Sequence, residues 1–101
     1  MSMKRSFFLL FFMCSALFAV YAQKVTFTPQ WTPQSQFAGY YAALEKGFYA
    51  QEGVDVNIVH PTKTYSSVNM LLDGSADIIT GELIQAMEAA GKNISLVNLM
   101  Q

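Results

Sequence analysis

An open α/β fold built on a largely parallel sheet is what this sequence predicts, and three observations predict it. Short segments rich in β-branched residues alternate with segments of helical period from Lys24 to Met100. Gly47, Gly53, Gly74 and Gly91 fall at the joints between them. The intervening helices are long enough to return the chain to the same sheet edge, which favours right-handed crossovers and parallel strands.

Lys24-Val25-Thr26-Phe27-Thr28 alternates polar with apolar and stops at Pro29, as a short strand entering a loop should. Thr32-Pro33 suits the cap and first residue of a helix, since proline lacks an N–H that would be unpaired there anyway. Phe37, Tyr40, Tyr41, Leu44 and Phe48 follow at three- and four-residue spacings, a stripe on one helical face that Gly47 ends or bends. After Gly53, Val54 to Val59 alternates again as the second strand. Ser66 to Leu72 carries Val68, Leu71 and Leu72 on one face and is stopped by Asp73-Gly74. Asp77 to Thr80 reads as a buried strand, Glu82 to Ala90 as a helix ended by Gly91, and Ile94 to Met100 as a fourth strand. The expected order is βαβαβαβ, and no repeat or low-complexity linker interrupts it.

The first 22 residues have a different character. Lys4 and Arg5 precede an apolar run from Phe7 to Phe18, and Val20-Tyr21-Ala22 then prepares a cut after Ala22. This is the pattern of a secretory signal, and Phe7 to Ala22 falls short of the ~20 residues of a membrane-spanning helix. Cys14 is the chain's one cysteine and follows Met13, not the small residue a lipoprotein site needs. Once the signal is removed no thiol remains for disulfides, metal ligation or nucleophilic catalysis. The remaining chain carries four basic and seven acidic residues, and Lys24, Lys46, Lys63 and Lys92 are scattered singly. No basic stripe is available for nucleic acid, so the expected partner is a small molecule. The chain stops at Met100-Gln101, in or just after the last expected strand, without a cap or polar tail. It reads as part of a larger unit, with an unpaired strand edge and a core too small for secure independent stability.

No phosphate loop, His-x-x-x-His pair or nucleophile elbow is present, and no cofactor or metal is expected. His60, the single histidine, follows the second strand beside Pro61 and reads as a loop or surface residue. In open α/β sheets ligands gather beyond the carboxyl ends of the strands, which singles out two loops, Pro29 to Gln36 and Thr80 to Leu83. Thr80, Gly81 and Glu82 offer a hydroxyl, exposed amides and a carboxylate at a helix start. That carboxylate could accept the amino hydrogens of a pyrimidine, and suits better still the positive end of the helix dipole with no ligand at all. The scarcity of Arg and Lys near both loops argues against a strongly anionic ligand.

One segment carries more specific information: Trp31-Thr32-Pro33-Gln34-Ser35-Gln36-Phe37-Ala38-Gly39-Tyr40-Tyr41-Ala42-Ala43-Leu44-Glu45-Lys46-Gly47-Phe48-Tyr49, followed by Glu52-Gly53-Val54-Asp55-Val56. It resembles the amino-terminal start of the thiamine-pyrimidine-precursor and sulfonate periplasmic binding proteins, a group that includes the fungal thiamine pyrimidine synthases. Leu71 to Asp77 and Ala89-Ala90-Gly91 continue the resemblance, which spans essentially the whole chain after the signal.

The resemblance implies a lobe of the type II periplasmic binding-protein class, residues 23–101 forming its amino-terminal part with the second lobe absent. It implies a two-lobed protein that closes on its ligand, favouring a thiamine pyrimidine precursor, and delivers it to the permease of an ABC importer. Contact with the membrane would come only through the signal segment or docking on the transporter, and the location would be periplasmic or otherwise extracytoplasmic. The cleft positions of such proteins match Trp31, Thr32 and Phe37 to Tyr40 here. A flat pyrimidine suits stacking on an aromatic face with a few hydrogen bonds to orient it. Trp31 also suits packing its loop onto the sheet, and Tyr40 and Tyr41 suit a core stripe better than a ligand surface. Gly39 serves either close helix packing or approach of a ligand to the backbone.

The synthases of this group carry a pyridoxal-phosphate lysine and, one helical turn later, a histidine. Gly81 and Gln85 occupy those positions here, so neither the Schiff-base amine nor the imidazole is present, and a binder is expected rather than an enzyme. Two other readings keep the same lobe: a ligand-sensing input domain of a membrane histidine kinase, and a thiamine pyrimidine synthase-like enzyme.

Overall fold

A computed structural model describes Met3 and residues 21–101; the expected signal segment, residues 1–22, lies outside the described residues apart from Met3, Tyr21 and Ala22. Strand β1 (Gln23–Thr28) forms where β-branched and aromatic residues favour extended backbone, and Pro29, with no N–H to continue the ladder, follows its end. Its alternation sends Phe27 to one face, where the ring meets Tyr40 edge-on with centroids 4.8 Å apart.

A 3-10 turn (Ser35–Phe37) leads into helix α1 (Ala38–Glu45), followed by the short helix α2 (Phe48–Gln51). Gly47 separates them in the left-handed region at φ 72°, a conformation that costs glycine little, and donates its N–H to the Leu44 carbonyl at 3.1 Å. The bend divides the expected aromatic stripe. Phe37 is buried and Tyr40 and Tyr41 are half-buried, but Leu44 and Phe48 are exposed, Phe48 because it begins a new helix after the bend.

The expected helix start at Thr32-Pro33 does not form. Gln34 is the extended residue before the turn, and α-helix begins only at Ala38. The cause is tertiary: the Gln30 N–H and the Trp31 carbonyl are already bonded to Thr80 and His60, so this backbone is held out of helical geometry.

Strand β2 (Val54–Ile58) keeps the predicted alternation, with Asp55 and Asn57 exposed between half-buried apolar neighbours. The Val59 N–H extends its ladder to the Phe27 carbonyl at 3.0 Å. Helix α3 (Ser67–Leu72) is capped by Ser66, whose Oγ accepts the Asn69 N–H at 3.2 Å. Replacing Ser66 by alanine is expected to cost about 1 kcal/mol in urea unfolding of the complete protein. The buried face of α3 is Ser67 and Met70 rather than the expected Val68, Leu71 and Leu72, because the chain folds back to place the Ala76 N–H on the Met70 carbonyl. Beyond the helix, the Ser75 hydroxyl and N–H both donate to Asp73, which holds that carboxyl below its ordinary range.

Strand β3 (Ile78–Ile79) is shorter than expected, although Asp77 and Thr80 add backbone bonds to the Thr26 and Thr28 carbonyls on either side of it. The three strands are parallel in the order β2-β1-β3. The first crossover runs from central β1 to β2 and the second returns from β2 past β1 to β3, so the two run in opposite directions and right-handed connections set α1 and α3 on opposite faces of the sheet.

Helix α4 (Leu83–Gly91) does not stop before Gly91 as expected. Asn93 takes the left-handed position at φ 59°, and the Ile94 N–H reaches the Ala89 carbonyl while the Asn93 N–H reaches that of Ala90. This is a Schellman closure with asparagine in the place usually given to glycine. The expected fourth strand, Ile94 to Met100, is absent among the described residues. No backbone bond joins 95–101 to β3, and Val97, Leu99 and Met100 are exposed. A strand persists only by pairing and burying a face, and this segment does neither. No helix among the described residues is long and apolar enough to cross a membrane.

Candidate functional site

The carboxyl ends of β1 and β3 lie side by side, and the chain leaves β1 away from β3, toward β2, the arrangement at which open α/β sheets form a crevice. The two loops expected to matter meet there. The Gln30 N–H donates to Thr80 Oγ1 at 3.0 Å, and the Thr80 N–H donates to the Thr28 carbonyl at 3.1 Å. Trp31 and Thr32 on one loop are thereby brought beside Thr80, Gly81 and Glu82 on the other. Trp31 keeps 43 % of its surface exposed, and Thr32, Gly81 and Glu82 are exposed as well.

Phe37 and Tyr40 sit differently. Phe37, only 5 % exposed, packs among aromatic rings with centroids 6.4 Å from Tyr40 and 6.1 Å from His60. Tyr40 in turn covers Phe27. Gly39 is exposed on α1 with open space where a Cβ would project, so no neighbouring element is packed against it.

Gly81 lies beside the Gln85 side chain of α4. The Gln85 Oε1 accepts the Glu82 N–H at 2.9 Å, satisfying one of the free donors at the helix start. A Cβ on residue 81 would lie 2.9 Å from that same oxygen. These are the positions that the resemblance matches to the synthases' lysine and histidine. The residues present do not fit pyridoxal phosphate, since glycine offers no amine and the Gln85 carboxamide fills the space beside it.

His60 is the residue that sequence reasoning set aside. It follows β2 at the same carboxyl end of the parallel sheet as the other two loops, and its ring makes two short bonds. Its Nδ1 lies 2.8 Å from the Trp31 carbonyl and its Nε2 lies 2.8 Å from the Tyr41 hydroxyl. A carbonyl only accepts, so Nδ1 carries the proton and Nε2 accepts from Tyr41 in the neutral ring. The only signal in the sequence was its place directly after a strand.

A family model described as NMT1/THI5 like matches residues 34–101, well over half of the chain. A formylaminopyrimidine-binding protein of Halalkalibacterium halodurans is 28 % identical over 69 residues, covering 68 % of this chain. The chain spans about one fifth, 21 %, of that relative's length. Sheet order, parallel register and family match agree, and the chain belongs to the NMT1/THI5-like family.

Proposed function

We propose that this chain is the amino-terminal part of an extracytoplasmic solute-binding protein that captures a thiamine pyrimidine precursor for an ABC importer. The observation that carries the reading is the exposed Trp31, held at the carboxyl end of the central strand beside the Thr80 loop. A planar heterocycle stacks on such a face, and Thr32, the Thr80 hydroxyl, the Gly81 amide and the Glu82 carboxylate supply the donors and acceptors that orient it. Gly39 leaves room for close approach on the α1 side, while Phe37 and Tyr40 support the site from the aromatic cluster beneath.

Capture rather than synthesis fits the side chains at 81 and 85 and the relative that is itself a binding protein. The initial segment directs export, and the permease is the macromolecular partner. Calorimetric titration of the complete gene product with formylaminopyrimidine, thiamine and alkyl sulfonates tests this. Saturable binding of a pyrimidine without turnover is expected, and failure to bind any pyrimidine would reject the assignment.

A further inference from the structure

The geometry points to His60 as a positioning residue for the ligand-stacking loop, acting through the Trp31 backbone; the inference rests on the stacking role proposed for Trp31. The Trp31 loop lacks regular structure, since helix begins only at Ala38 and residues 31–33 form bends. A loop of this kind needs outside anchors to hold one conformation. Two are present: Thr80 Oγ1 holds the Gln30 N–H, and His60 Nδ1 holds the carbonyl of the next residue, Trp31.

His60 is well placed to act as a rigid anchor. Its own backbone follows β2, which pairs with β1 over five residues, from Gln23 with Val54 to Phe27 with Ile58. Its half-buried ring is flanked by Phe37 and Tyr41, whose ring centroids lie 6.1 Å and 5.8 Å away. The Tyr41 hydroxyl fixes the ring's orientation from α1 by donating to Nε2. The result is a relay from helix to imidazole to loop carbonyl, in which each bond selects the direction of the next. Trp31 itself then enters the ligand complex with its backbone already ordered, and less entropy is lost on binding.

Trp31 is the one tryptophan of these 101 residues, so in the complete protein, with any tryptophan outside them replaced by phenylalanine, the emission reports on this loop alone. In the complete protein, His60→Ala is expected to shift the emission of the unliganded protein to the red and to weaken formylaminopyrimidine binding by about threefold to tenfold. His60→Asn, whose amide nitrogen replaces Nδ1 as donor, should restore most of both properties. Should the alanine variant not fold, His60→Gln, whose amide reaches the Nε2 position instead, takes its place and should show the same losses. A variant that has lost the Nδ1 donor yet keeps wild-type emission and affinity overturns the proposal, as does an asparagine variant no better than the alanine or glutamine one. Trp31→Ala separates the two ideas. If it keeps full affinity while His60→Ala still shifts the emission, stacking fails and the anchor stands; if it loses affinity while His60→Ala changes nothing, the anchor alone fails.

Discussion

Replacing Trp31 by alanine is expected to weaken formylaminopyrimidine binding to the complete protein by about tenfold to a hundredfold, the range given by losing one ring-on-aromatic stack. The loss should appear in calorimetric titration with little change in melting temperature, because Trp31 keeps 43 % of its surface exposed and stands outside the buried core. Trp31→Phe should retain part of the affinity, since a smaller flat face remains. Unchanged affinity in the alanine variant would place the ligand elsewhere and leave Trp31 a role in loop packing.

The second large effect concerns the central strand. Phe27 is 8 % exposed, lies between strands on both sides and meets Tyr40 at 4.8 Å. Phe27→Ala removes the ring that joins the sheet to α1 and should cost about 3–5 kcal/mol. Against a total stability of about 5–15 kcal/mol, such a loss is severe. Urea unfolding of the complete protein should show the midpoint falling sharply with the slope retained. A loss under about 1 kcal/mol would mean that the site refills by collapse and that Phe27 is not the keystone of this layer.

Local pattern made the early elements readable. β1 and β2 are written in two-residue alternation, and Ser66 and Gly47 mark helix limits through capping and left-handed geometry that any chain would obey. What could not be read was decided by partners distant in sequence. The helix start moved from Thr32 to Ala38 because Thr80 and His60 claim the backbone of Gln30 and Trp31. The segment from Ile94 has strand composition, but composition carries no pairing partner. Gly91 looked like a helix stop, yet Asn93 adopted the left-handed turn two residues later.

The site divides in the same way. Its two loops were legible from the rule that ligands gather at strand carboxyl ends, and the Gln30–Thr80 bond joins them. Phe37 and Tyr40 were named through resemblance, and the structure draws them into an aromatic cluster that helical spacing alone also suggested. His60 was passed over because a single histidine after a strand carries no periodic or motif signal. Its role depends on Trp31 and Tyr41, 29 and 19 residues away.

The shortness of β3 has a consequence for the crevice it borders. Two strand pairs, Phe27 with Ile78 and Thr28 with Ile79, with flanking bonds from Asp77 and Thr80, hold this seam, against five strand pairs on the other side of β1. The candidate site therefore straddles the weaker of the two seams, where local opening requires less free energy than global unfolding. A ligand touching both loops would bridge that seam, and by linkage its binding free energy would suppress the opening. Occupancy would then act as a clasp on the sheet itself, making the filled protein more uniformly rigid than the empty one.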